Sequence, residues 1–326
     1  SWDRVNNQLI ARRGSRMVAV LNSGTIPDRG YYGVYLKNST VRLGEMEEEF
    51  VFESRVGETF FLGNSEWRID GIMQSKIIVT PVAAIKPKAP FWKGGLLFRD
   101  YSTSEKIGKF RAEIMDHIDA GSAVDWLMDQ YAADNKTAEN LVRYFERQRE
   151  HIQAVPTAKQ FLVETTTTAD ALPVIFIHAP IGARVNGAWA VALAAALEGQ
   201  WQTMIQYSFD DDGIMLRMPD MTEPPPVDRL MTLTAREIEA YLIAALPSNP
   251  IFAIQFRYSA ARSLLLPRSQ PKKRIPLWLQ RLRAADLLQA IQDYQDFPAT
   301  METFRECLQD HMDVERLARL LTAQLH

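Results

Sequence analysis

Between Arg16 and Val82 the chain carries six short runs, "RMVAVL", "YYGVYL", "EFVFES", "ETFFLG", "EWRIDGIM" and "KIIVTPV". Each is rich in β-branched or aromatic residues, and Gly, Asn, Asp or Ser separates one from the next. That pattern predicts strands. Six short strands at close spacing predict a small antiparallel β-barrel, which removes the open edges that a flat sheet would expose. The following text, "PVAAIKPKAPFWKGG", interrupts the pattern with prolines and a glycine pair and reads as a loop.

Helical spacing takes over near Ser104. "SEKIGKFRAEIMDHIDA", "GSAVDWLMDQYA" and "DNKTAENLVRYFERQREHI" repeat apolar residues every three or four positions, with Ser104 and Asp134 as N-caps. Strands return with "QFLVETT" and "LPVIFIHA", and "NGAWAVALAAALEGQ" reads as a buried helix. "QTMIQYSFDDDGIMLRMP" predicts a hairpin turning on Asp-Gly. Five further helical stretches, from "TAREIEAYLIAAL" to "VERLARLLTAQL", finish the chain. The expected class is α+β: a small antiparallel β-barrel beside an array of α-helices, with a further small α/β C-terminal part. The expected divisions are 1–100, 101–160 and 161–326.

Composition narrows the function. With 326 residues, 47% hydrophobic and 24% charged, the chain suits more than one globular core. It has no apolar run of the ~20 residues that a membrane helix needs, and its polar start lacks a signal-peptide core, so a cytoplasmic location is expected. Opening on Ser1 rather than methionine is expected of a piece excised from a longer protein. The single cysteine, Cys307, excludes an internal disulfide and a multi-cysteine zinc site.

The net charge of −3 hides an asymmetry. From Arg42 to Phe60 glutamates dominate. From Arg257 to Arg283 the chain holds Arg257, Arg262, Arg268, Lys272, Lys273, Arg274, Arg281 and Arg283 with no acid. A local cation in a mildly acidic chain suits a protein that holds phosphates along one face.

Several motifs invite chemistry. Gly108-Lys109 lacks the upstream glycine and the following Ser or Thr of a phosphate loop, and it falls inside a helical pattern, so no ATP site is expected in this chain. Asp210, Asp211 and Asp212 could offer oxygens to a metal, but no further carboxylates recur at calcium-loop spacing, and a polar turn explains them. No metal site is expected. His178 at a strand end could act as a base or could be structural. Cys307 reads as a small core residue. Trp92, in "APFWKGG" with Lys93 beside it, fits base stacking with phosphate contact, or a lid folded onto the barrel. In "NSGTIPDRGYYGVYL", Thr25, Ile26 and Arg29 form either a hairpin corner or a rigid apolar tip with a cation. The 257–283 run favours phosphate binding over a free basic tail, because its charge continues onto helical text on both sides.

Taken together, "WDRVNN", "SGTIPDRGYYGVYL", "RLGEMEEEFVFESRVGETFFLGNSEWRI", "PFWKGG", "HAPIGARVNGAWAVALAAAL", "DDGIMLRMPD", "AARSLLLPR" and "METFRECLQD" resemble the large helicase-related (Lhr) proteins, superfamily 2 ATP-dependent helicases. The resemblance runs from Trp2 onward in one order. One departure is Met46-Glu47, where the family reads Leu-Asp, expected to be a conservative surface change.

The resemblance implies a fourth, accessory domain whose two RecA-like motor domains and winged helix precede it. ATP and Mg²⁺ would then belong to those motors, with none in this chain. It also implies 3′ to 5′ translocation on single-stranded DNA, unwinding of duplexes including RNA–DNA hybrids, and a place in DNA repair. Trp92 would stack on a base of the tracking strand, and Thr25 and Ile26 would press on its sugar–phosphate path. Arg29, Lys93 and the 257–283 cations would attract phosphates. Two rivals stand beside this reading. One is a DNA glycosylase-like repair domain using Asp28 or Asp210. The other is a scaffold for the motor domains.

Overall fold

The computed structural model describes residues 2–24, 31–47, 50–51, 54–62, 65–73, 76–82, 98–152, 154–168, 172–218, 223–224, 233–270, 273–275, 277–294 and 296–324. The fold is α+β. The chain divides into two compact units, each assembled from two separate stretches: Ser1–Leu97 with Pro250–Thr303, and Phe98–Asn249 with Phe304–His326.

The first unit opens with a two-stranded ribbon, β1 (Trp2–Asp3) and β2 (Gln8–Leu9), and then helix α1 (Ser15–Asn22). This helix is the "RMVAVL" run expected to be a strand. A short unbroken apolar run fits either state, and Met, Ala and Leu are good helix formers. Burial follows the helical repeat: Asn22 is buried and Val18 half-buried one turn before it, while Met17 and Val20 face outward. Gly14, at φ 88, lets the chain turn into the helix.

Five strands follow: β3 (Tyr31–Leu36), β4 (Arg42–Glu47), β5 (Thr59–Leu62), β6 (Ser65–Met73) and β7 (Lys76–Pro81). They form one sheet in the order β4-β3-β7-β6-β5. The expected closed antiparallel barrel is absent among the described residues. β4 and β5 lie at opposite ends of the order, and β3 runs parallel to β7. The "EFVFES" run, expected as a strand, contributes Phe50 and Val51 to a helical turn, where Ser54 Oγ donates to Phe50 O at 2.7 Å. Val34, Ile77 and Val79 are fully enclosed, and Phe50 meets Phe60 edge to face with ring centres 5.7 Å apart. Met46, expected at the surface, is 4% exposed and faces Tyr32 across the β3–β4 ladder.

The second unit begins with α2 (Tyr101–Asp119), α3 (Ala123–Tyr131) and α4 (Asn135–Ile152), packed around Ile114, Leu127, Ala138 and Phe145. Helix α2 starts earlier than expected. Asp100 is its N-cap, accepting from the Thr103 N–H at 2.9 Å, and Ser104 is buried inside the helix. Asp134 caps α4 as expected, accepting from the Thr137 N–H at 2.7 Å.

An antiparallel sheet follows, ordered β10-β11-β9-β8, from β8 (Leu162–Thr167), β9 (Pro173–His178), β10 (Gln206–Phe209) and β11 (Gly213–Arg217). Between β9 and β10 runs α5 (Ala183–Trp201), buried from Ala183 to Ala194 on nearly every side. A helix apolar all round belongs in a core, and its many alanines allow that close approach. α6 (Ala235–Ala245) opens with a capping box between Thr234 and Glu237.

The chain then returns to the first unit with α7 (Pro250–Arg262), a ribbon of β12 (Ser269–Gln270) and β13 (Lys273–Arg274), α8 (Leu277–Ala290), and α9 (Pro298–Arg305) up to Thr303. Phe256, Ala260, Leu266, Ala284 and Ala299 form the core of this stretch. A π-helical turn, Glu306–His311, and α10 (Val314–Gln324) close the second unit. No helix among the described residues is long and apolar enough to cross a membrane.

Candidate nucleic-acid interface

The last turn of α1 leaves backbone carbonyls without partners inside the helix. Arg268 meets them. Its Nη2 donates to Asn22 O at 3.3 Å and to Gly24 O at 3.4 Å, and its own backbone N–H donates to Asn22 Oδ1 at 2.6 Å. Asn22 closes the arrangement, its Nδ2 donating back to Val18 O at 3.0 Å. A cation at a helix C-terminus is favoured by the helix dipole as well. The ribbon after Arg268 turns back so that the Ile275 N–H donates to Arg268 O at 2.9 Å.

Seven residues after Gly24, β3 begins, and its second residue is held by another cation. Arg281 of α8 donates from Nη1 to Tyr32 Oη at 2.7 Å, and its guanidinium carbon lies 5.6 Å from the Tyr32 ring centre. Burial pushes the Arg281 guanidinium below its ordinary pKa, while the bond to Tyr32 opposes that shift. It remains a cation at any physiological pH.

Two of the expected phosphate-binding residues, Arg268 and Arg281, therefore grip the chain on either side of residues 25–30. Arg257 does not share this role. It is 3% exposed, with its guanidinium over the Tyr258 ring at 4.8 Å, so the smooth cationic face expected from 257 to 283 is corrected at that position. Arg262 is half-buried and donates to Ser259 Oγ at 3.1 Å. Lys273 and Arg274 sit on β13, with only their backbone described. Thr25, Ile26, Arg29, Trp92, Lys93 and Lys272, with Asp28 of the glycosylase reading, lie outside the described residues. Asn22 and Tyr32 were missed by sequence reasoning, and nothing local marks an asparagine or a tyrosine as the anchor of a distant arginine.

The motifs of the second unit resolve into structure. Asp210 Oδ1 accepts from the Asp212 and Gly213 N–H groups at 2.8 and 2.9 Å, shaping the hairpin turn. Asp211 Oδ1 accepts from the Ala183 N–H at 2.9 Å, at the start of α5, and also from the Arg99 N–H at 3.1 Å. Asp212 takes Arg99 Nη2 at 2.9 Å and Arg111 Nη2 at 3.2 Å. Burial raises the Asp212 pKa, but the bonds and charges of Arg99 and Arg111 outweigh it and leave the carboxyl below its ordinary value. Among the described residues no group of three or more His, Cys, Asp or Glu side chains is placed to hold a metal.

His178 Nε2 lies 2.6 Å from Glu164 Oε2 on the neighbouring strand. Cys307 is fully buried, and burial together with Glu306 pushes its thiol up to about 12, which makes it an unreactive core residue. Gly108 lies inside α2 where the backbone of Ala158 passes close by, so its role there is packing.

Comparison with known proteins is consistent along the whole chain. The DEAD/H associated family model matches residues 155–324, and the model of the large helicase-related protein winged helix domain matches residues 1–89. The winged helix that the resemblance put ahead of the chain is therefore matched within it. Over those residues the structure holds α1 and the five-stranded sheet.

The chain is 37% identical to the Lhr helicase/uracil glycosylase of Escherichia coli K12 over 325 residues, covering 98% of this chain and 21% of that protein. It is 28% identical to the ATP-dependent helicase Lhr-Core of Saccharolobus solfataricus, covering 95% of this chain and 36% of that one. A solved structure, Mycobacterium smegmatis helicase Lhr bound to ssDNA and AMP-PNP, superimposes with a TM-score of 0.70 at 33% identity, over 98% of this chain and 37% of that one. The chain thus spans between a fifth and two fifths of the length of these relatives. By these matches the chain belongs to the DEAD/H associated family and corresponds to a C-terminal region of the large helicase-related (Lhr) proteins.

Proposed function

We propose that this chain is a single-stranded nucleic-acid-binding accessory region of an Lhr-type ATP-dependent helicase. The observation that carries the reading is the 33% identical Lhr structure bound to ssDNA, whose match extends over 98% of the chain. In this reading Trp92 stacks on a base, with Lys93 near the phosphates. Thr25 and Ile26 shape the sugar–phosphate path, and Arg29 with Arg262, Lys272, Lys273 and Arg274 supplies attraction. Motor domains of the same protein bring ATP and Mg²⁺, move 3′ to 5′ and open duplexes or RNA–DNA hybrids. Stacking and phosphate contacts read no base edges, so sequence preference is weak.

The test is binding of the full chain to a fluorescent single-stranded oligonucleotide across a salt series. Affinity is expected to fall steeply with salt. Trp92→Ala is expected to weaken it about tenfold or more, in line with ~1–3 kcal/mol for a stacked base. Binding that ignores both salt and Trp92 sinks the reading.

A glycosylase function is the second reading, favoured by the E. coli relative's name. Of its two candidate carboxylates, Asp210 already holds two turn amides. Release of uracil from a uracil-bearing oligonucleotide by this chain would decide for it.

A further inference from the structure

Resting on the single-strand reading above for the class of ligand, we infer that the outer face of the five-stranded sheet seats part of that strand. Tyr35 is the ring on which a base stacks, and Lys76 is the cation for the adjoining phosphate.

β3 alternates between two faces. Tyr32 and Val34 point into the core, which leaves Tyr31, Gly33 and Tyr35 on the opposite face. Gly33 lets the Tyr35 ring lie against the strand, because a Cβ at 33 would meet the ring's Cε2 at 2.7 Å. Gly33 is buried beneath that ring, while Tyr35 itself is half-buried and keeps a surface toward solvent. Tyr31, four residues back on the same face and ~13 Å away at the rise of a strand, is 49% exposed.

The cations lie on the β7 side. Lys76 stands beside Gly33 in the parallel ladder, and its ammonium is 5.0 Å from the Tyr35 ring centre. Among the described residues Lys76 forms no ion pair. Further along β7, Thr80 stands opposite Arg68 of β6, and Asp70 draws Lys37 and Arg68 together, each nitrogen 3.2 Å from its oxygens. One carboxylate against two cations leaves a surplus positive charge. Lys37 and Arg68 are about half exposed, whereas Asp70 is 13% exposed and also accepts from the Thr80 hydroxyl. On the β4 side the sign reverses: Glu45 and Glu47 stand opposite Gly33 and Tyr31, with Arg42 paired to Glu45. The phosphates of a bound strand therefore run over β7 and β6 and away from β4.

A ring folded over a glycine could be a packing device alone. The unpaired ammonium above it, the second exposed tyrosine and the surplus charge along β7 add the pairing of stacking with phosphate attraction that holds single strands.

The test uses the full chain and a fluorescent oligothymidine, with Trp92→Ala measured alongside. Tyr35→Leu keeps an apolar cover over Gly33 and loses the stacking ring. It is expected to weaken binding about tenfold, and Tyr35→Phe is expected to restore most of that loss. Lys76→Gln, a change at an exposed position, is expected to lower the slope of log affinity against log salt by about 0.7, the share of one phosphate on a single strand. Irradiating the parent chain with the same oligonucleotide carrying 5-iodouracil is expected to attach it to the peptide that contains Tyr35. The salt slope and the crosslink do not depend on Tyr35→Leu remaining folded. Parent-like binding and slope in Tyr35→Leu and Lys76→Gln, with no crosslink on that peptide, overturns the inference. The single-strand reading survives that outcome if Trp92→Ala still weakens binding. A parent chain that binds no oligonucleotide overturns both.

Discussion

Asp212 shows how a residue that looks like a metal ligand becomes a structural one. Its carboxylate lies within reach of Arg99 and Arg111 and is held below the ordinary value of 3.8. A depressed carboxyl contributes stability above its unfolded pKa and loses it as pH falls through the lower, folded value. The difference in melting temperature between the parent chain and Asp212→Asn is therefore expected to be largest above pH 5 and to close as pH falls below about 4. Because Asp212 is about half exposed, solvent screening keeps the effect modest. A difference that stays constant from pH 7 to pH 3 would show that Asp212 acts through packing. Arginines in this chain divide in the same way: those in the 257–283 run are alike in sequence, yet one is buried against Tyr258, one caps a helix and one holds a phenol.

At the scale of elements, the outcome depended on how much of each signal was local. Helices α2, α4 and α6 carry their own side-chain caps, α2, α3, α4 and α6 an apolar repeat over two or more turns and α5 an almost unbroken apolar run, and they were legible. α1 was not, because eight residues with an unbroken apolar run fit a strand equally well. Helix α2 carries a prediction about packing. Replacing glycine by alanine inside an exposed helix ordinarily gains roughly 1 kcal/mol. At Gly108 a Cβ would lie 2.5 Å from Ala158 N, which is backbone and cannot swing aside. Gly108→Ala is expected to lower stability by about 1–3 kcal/mol instead, as overpacking does. A gain in melting temperature for that variant would contradict the close approach.

At the scale of the whole molecule, the proposed function leaves ATP and Mg²⁺ to motor domains outside this chain. Its sequence has no glycine-rich phosphate loop, and Gly108-Lys109 lies in the middle of α2. Single-strand affinity of the isolated chain is therefore expected to be the same with and without ATP and Mg²⁺, measured by fluorescence anisotropy. An ATP-dependent shift would place a nucleotide site in this chain and revise the division of labour proposed above. Each compact unit is built from two stretches of sequence, and the basic run belongs to the unit that carries residues 25–30.

By itself the sequence determined the α+β class, most helices, the Asp-Gly hairpin, the cap at Asp134 and the family. Those rest on periodicity, turn chemistry and motif order, which act over a few residues or are simply written in the chain. The tertiary structure alone decided that "RMVAVL" is helical, that β3 pairs in parallel with β7, that Met46 is core and that Arg257 is buried. It also decided that Arg268 and Arg281 face protein. Their partners, Asn22 and Tyr32, lie 246 and 249 residues away, and no local pattern records which distant carbonyl or phenol a cation will meet when the chain closes.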